Sequence, residues 1–317
     1  MFRTAVCIAV MCATTGCAAR STEQLPAAGV GRAHAQATTA QATTAQTTTP
    51  TGSLEEFMSK VRARSVTARP LTRRELTVEG NDVALTAALI TVKARPSAAN
   101  HRKVAAQYLR HGIKDVAHEH FTAALKLDSR DAASWDGLAR IWRDWGFSNL
   151  ALPDATRAVY FAPSSPVVHN TLGTILQALG RRAEARAEYE KALALDATAA
   201  YALTNLCYGW ALEGEADKAA NACREALRLQ PDMEAARNNL AVAYEVSGDS
   251  IAALDVLAES GDAARTQYNA GILHLAARRF PEALKAFDEA MALRPPFAAA
   301  ELMARQTRRQ LQEGTAR

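Results

Sequence analysis

Glycine returns in this chain at a fixed step. Gly112, Gly146, Gly180, Gly214 and Gly248 each stand 34 residues after the last. Ala117, Ala151, Ala185, Ala219 and Ala253 keep the same step, as do Ala124, Ala158, Ala192 and Ala226. Seven residues before each glycine sits a small residue: Ala105, Ala139, Gly173, Cys207 and Ala241. One place earlier sits an aliphatic: Val104, Leu138, Leu172, Leu206 and Leu240. Several series held in one register make the chain a tandem array rather than a single core of unlike elements.

The stretch 166–199 shows what each unit contains. Leu172, Ile175, Leu176 and Leu179 recur at three- and four-residue spacing before Gly180, and Ala185, Tyr189, Ala192 and Leu193 do so after it. That is one apolar face on each of two short helices. The glycine allows a left-handed residue at the end of the first helix. The small residues let the two helices approach closely. Tyr108, Trp142, Leu176, Trp210 and Tyr244 are placed to fill the seam between successive hairpins. A lone hairpin of this length cannot bury its apolar face, so the units must stack.

A period of 34 with Trp135, Leu138, Ala139, Trp142, Gly146, Ala151, Ala158 and Pro163 resembles the tetratricopeptide repeat. The resemblance implies an all-α, right-handed superhelical solenoid of about six hairpins, over 98–131, 132–165, 166–199, 200–233, 234–263 and 264–297, with flanking helices. Two departures carry expectations. The fifth unit is four residues short after Leu257, so its second helix should be shorter. Pro153 falls inside a second helix, so that helix should start late or kink.

Outside the array the chain changes character. Residues 1–17 read as a short basic start and an apolar stretch too short to span a bilayer, the pattern of a secretory signal. Thr14-Thr15-Gly16-Cys17 resembles a bacterial lipobox, which makes Cys17 the candidate lipidated residue and implies an anchor in the outer membrane, facing the periplasm. Ordinary cleavage near Ala33-His34-Ala35, giving a soluble periplasmic or secreted protein, is the other reading. Residues 18–53 are rich in Ala, Thr and Gln and read as a disordered tether. Within 54–97, Ser53-Leu54-Glu55-Glu56 forms a capping box for a helix to about Arg64, and a second helix is expected from Asp82 to about Lys93, as half of a degenerate leading repeat. Residues 298–317 read as a capping helix and tail.

Composition and motifs narrow the function. Lys and Arg total 37 against 33 acids, a net charge of +4 spread without a basic stripe, so nucleic acid is not indicated. No nucleophile elbow, phosphate loop, dinucleotide fingerprint or zinc-protease motif is present, and neither an enzyme nor a cofactor is expected. His118, Glu119 and His120 invite a metal reading, but residues two apart on a helix diverge. With His101 and His111 they read as solvated histidines on a terminal repeat. Trp145, beside its turn glycine, is either a packing plug or an exposed anchor. Cys207 and Cys223 take positions that face each other in this repeat family, so they are a candidate disulfide or two buried small residues.

The family's usual binding surface is its concave face, built from the first helices. Aligning the units puts Arg102, Arg140, Arg143, Asn170, Asn205, Tyr208, Asn238, Asn239 and Asn269 on it. Asn205, Asn239 and Asn269 share one repeat position. Amides both donate and accept, so such a row suits either an extended peptide backbone or a bridge between neighbouring helices. The clamp of two lysines, two asparagines and one arginine that chaperone-binding members carry does not occur. The expected partners are protein segments, with the membrane reached only through lipid. In layout the chain resembles envelope lipoproteins of the tight-adherence pilus and type IV pilotin kind, which implies a non-catalytic scaffold. An adaptor for cell-wall hydrolases or peptidoglycan is the alternative, cued by Tyr201, Tyr208 and Tyr268.

Overall fold

In the computed structural model, residues 82–315 are described; Cys17, the tether and the helix expected at 54–64 lie outside them. Among the described residues there are fourteen α-helices and no strand. A leading helix, α1 (Val83–Ala94), is capped by the Asp82 carboxylate, which accepts from the Leu85 amide. Six hairpins follow: α2 (Ala98–Arg110) with α3 (Lys114–Leu127), α4 (Ala132–Asp144) with α5 (Ser148–Phe161), α6 (Pro166–Ala178) with α7 (Arg182–Leu195), α8 (Ala200–Glu213) with α9 (Ala216–Leu229), α10 (Glu234–Ser247) with α11 (Ser250–Ala258), and α12 (Ala263–Ala276) with α13 (Phe280–Leu293). A final helix, α14 (Ala298–Thr315), packs on α13. Each hairpin packs against the next, which makes the molecule a superhelical solenoid.

The turns explain the glycine series. Gly112, Gly146, Gly180, Gly214 and Gly248 all have positive φ, between 69° and 88°. At each, the glycine amide and the next amide donate back into the last turn of the helix. At Gly180 the acceptors are the Gln177 and Leu176 carbonyls, at 3.0 and 2.9 Å. This is the six-to-one, five-to-two pattern that closes a helix on a left-handed residue. The sixth hairpin makes the same bonds without glycine: Arg278 adopts φ 59° and donates to the Leu275 carbonyl at 3.0 Å, while Arg279 donates to His274 at 2.8 Å.

Inside each hairpin, small residues make room for large ones. A Cβ built on Gly173 would lie 2.5 Å from the Tyr189 ring, and one on Gly271 would lie 2.5 Å from the Phe287 ring. Tyr189 and Phe287 are accordingly among the most buried side chains of the molecule. Alanine elsewhere in the same layers, at Ala105, Ala139, Ala241 and Ala283, is fully buried.

The shortened fifth unit behaves as expected. Helix α11 has nine residues, against fourteen in the second helices around it, and closes on Gly261 at φ 70° before Asp262 caps α12. Pro153 does not delay its helix. α5 begins at Ser148, in register with the other second helices, and the proline sits inside it on an exposed face. The ring removes one amide, so the Asn149 carbonyl cannot receive its usual helical bond.

Gly173→Ala should therefore cost more stability than Gly180→Ala. The first must displace a buried ring, at about 1–3 kcal/mol. The second meets open space and only strains the backbone, at about 1 kcal/mol. Arg278→Gly should gain up to about 1 kcal/mol by the same reasoning. Equilibrium urea unfolding of the three variants checks the order, and Gly180→Ala matching or exceeding Gly173→Ala would contradict it.

Candidate functional site

The inner face carries a ladder of side chains between successive first helices. The Thr171 hydroxyl hydrogen-bonds Asp136. The Asn205 amide donates to the Asn170 Oδ1 at 2.7 Å. The Asn239 amide donates to the Thr204 carbonyl at 3.1 Å, and the Asn269 amide to the Asn238 Oδ1 at 2.9 Å. Each rung joins one repeat position to the next position one unit later, a step of 35 residues that becomes 31 where the fifth unit is short. The amides thus bridge neighbouring helices. Asn238 and Asn239 are buried, and the partly exposed Asn170 and Asn205 are bonded to each other.

Other candidates are also taken up by the fold. Tyr208 is buried at 6% exposure, and Val242 and Ile272, which follow it in the same row, are buried too. Tyr268 packs against Phe287 and Phe297, with ring centroids 5.9 and 5.2 Å away. Of the three tyrosines Tyr208 is closed off, while Tyr201 and Tyr268 stay partly exposed. Arg102 pairs with Asp131 across the first interface. Arg143 donates to the Thr174 hydroxyl at 2.9 Å and pairs with Asp144 at 2.8 Å.

The exposed Lys103, Arg110 and Arg140 lie in the first two repeats. Arg140 is half exposed, and its nearest carboxylate is Asp136 at 3.8 Å. Asp136 is itself buried, which pushes its carboxyl above the ordinary value against the opposing pull of Thr171, Arg140 and Arg143. Lys103 and Arg110 are exposed on the preceding unit. The inner face is thus cationic toward its N-terminal end, with buried Tyr208, Val242 and Ile272 beside the Arg265–Glu234 pair further along.

The chain's likeness to known proteins accords with this geometry. Residues 166–199 match the family model described as Tetratricopeptide repeat. Among solved structures, the chain is similar to one in the APC/C hetero-tetramer Cut9–Hcn1, at TM-score 0.59 and 19% identity, covering 80% of this chain and 51% of that one. It thus spans about half the length of that protein. A tetratricopeptide repeat protein from Parabacteroides merdae ATCC 43184 matches at TM-score 0.56 and 16% identity, covering 81% of this chain and 99% of its own. PilW, a widely conserved type IV pilus biogenesis factor, matches at TM-score 0.55 and 22% identity, covering 65% of this chain and 97% of its own. No curated protein matches the sequence. The fold is a tetratricopeptide-repeat solenoid.

Within this tetratricopeptide-repeat frame, two clusters are particular to the chain. Cys207 and Cys223 are joined in the fourth hairpin, with S–S 2.02 Å and Cα–Cα 5.3 Å, at the positions that Gly173 and Tyr189 take in the third. Closing a loop of 16 residues contributes roughly 3 kcal/mol in the loop-entropy account. The second cluster corrects the reading of solvated histidines. His120 is buried against Tyr108 and lies 3.1 Å from His101, nitrogen to nitrogen. His118 packs between Trp142 and Trp145, at 5.1 and 5.7 Å. Trp145, 5.3 Å from Trp142, is therefore a packing plug. His111 pairs with Asp82 at 2.6 Å. Among the described residues no cluster of metal-ligating side chains occurs, and no helix is long and apolar enough to cross a membrane.

Burial holds both histidines neutral, at about 4 for His118 and for His120. A depressed histidine contributes stability that is present above its unfolded value near 6.5 and lost as pH falls toward the folded value. At pH 5 the loss is about 2 kcal/mol for each histidine. Buried Asp154, raised to about 6 despite Arg157 and the Trp142 indole, acts oppositely and returns roughly 1 kcal/mol over the same range. The melting temperature should drop between pH 7 and pH 5, and His118→Gln with His120→Gln should flatten that drop. An unchanged slope in the double variant would contradict the assignment.

Proposed function

We propose that this chain is a non-catalytic scaffold of the bacterial cell envelope that binds segments of partner proteins along the N-terminal half of its inner face, in the assembly of a pilus or secretion system. The observation that carries the binding surface is the exposure of Lys103 and Arg140 on a face where Arg102, Arg143, Asn205 and Asn239 are bonded to neighbouring helices. The Cys207–Cys223 bridge supports an oxidising compartment such as the periplasm. The lipobox-like Cys17 supports a lipid anchor, with residues 18–53 as the tether between anchor and solenoid. The pilus assignment leans on the layout of the chain and on the likeness to PilW, which at 22% identity carries the fold alone.

Co-purification from detergent-extracted membranes tests the reading. Wild type should bring down specific envelope proteins, and Lys103→Glu with Arg140→Glu should lose them while the protein stays helical by circular dichroism. Partner capture unaffected by the two reversals would overturn the surface. Recovery only in the soluble fraction would overturn the anchor.

A further inference from the structure

In all six hairpins the second helix has a first helix before it. Helix α1 is a second helix without one among the described residues: shifting α3 back by 34 residues lands on 80–93. It turns Leu85 and Val92 toward α2 and leaves its other side open. That open side is apolar. Val83 is 83% exposed and Ile90 is 64% exposed, and exposed Ala87 lies between them on one stripe. Lys93 is the single charged residue of α1. A helix apolar on all sides is ordinarily a buried one.

We propose that residues 54–64 of this chain form an amphipathic helix that lies along the exposed stripe of α1 and closes the N-terminal end of the solenoid. The register excludes the nearer stretch. The first helix of a leading repeat would fall at 64–76, where Pro70 stands in the place of Val104 and Arg74 in the place of Tyr108, so those residues cannot supply its buried face. Residues 54–64 can. Leu54, Phe57, Met58 and Val61 follow the i, i+3, i+4, i+7 spacing, behind the capping box that starts at Ser53. Eleven helical residues span about 16 Å and the twelve of α1 about 18 Å, so the two stripes match in length. The connection 65–82 can extend to about 60 Å, ample for the chain to double back. The tether would then leave from the closed end, and a second copy could not stack there.

The full chain carrying Val61→Cys and Ile90→Cys, treated with a short bismaleimide and mapped by mass spectrometry, tests this. A 61–90 link within one chain is expected, and none between Val61→Cys and Ile251→Cys, which lies exposed on α11. Phe57→Asp should lower the melting temperature by on the order of 2–4 °C, and Ile90→Asp should add little in that background. Links between isotopically distinct chains would assign the face to a second copy. An absent link together with a neutral Phe57→Asp would leave the face uncovered and overturn the proposal. Neither result bears on Lys103 and Arg140, whose test is partner capture.

Discussion

The structure depends on how closely two helices of a hairpin can approach. Glycine beneath Tyr189 and beneath Phe287 lets an aromatic ring reach the opposite helix backbone, and alanine does the same work for smaller partners. This brings the helices close but leaves each hairpin with an uncovered face. Stacking then becomes obligatory, and the ends become the weak points of the array. The disulfide in the fourth hairpin occupies the same pair of positions and ties covalently what the third joins by packing.

Stacking places polar groups of adjacent first helices in a dry seam, where each needs a partner. The ladder from Asp136–Thr171 to Asn238–Asn269 supplies partners at four successive interfaces, though Asp136 Oδ1 and Asn238 Nδ2 remain buried without one. The same solution ties those amides to the neighbouring helices. The surface left for recognition is consequently uneven, with exposed cations on the first two units and buried Tyr208, Val242 and Ile272 further along.

The repeat, its turn glycines and the shortened fifth unit were legible because each follows from spacing and from one residue's backbone freedom. The asparagine ladder was half legible. Asn205, Asn239 and Asn269 share a position, but their acceptors sit one position earlier on the preceding unit, and only the superhelical offset brings those together. Arg278 was not legible at its turn, since the carbonyls of Leu275 and His274 hold a left-handed residue that local preference disfavours. Pro153 read as a late start because a mid-helix proline is costly in isolation; in place, packing of α5 through Ala151, Ala155 and Ala158 holds the register. The histidines misled because alternation on a helix says which faces they take, not which faces a neighbouring hairpin covers.

The central claim is that the inner-face amides hold the stack while the exposed cations meet the partner. Asn239→Ala tests it most directly, with unfolding free energy and partner capture measured on the same preparation. The account predicts a loss of about 1 kcal/mol, from the buried inter-helix hydrogen bond to the Thr204 carbonyl, and undiminished capture by the folded protein. Unchanged stability with capture lost would place Asn239 in the binding surface and contradict the account.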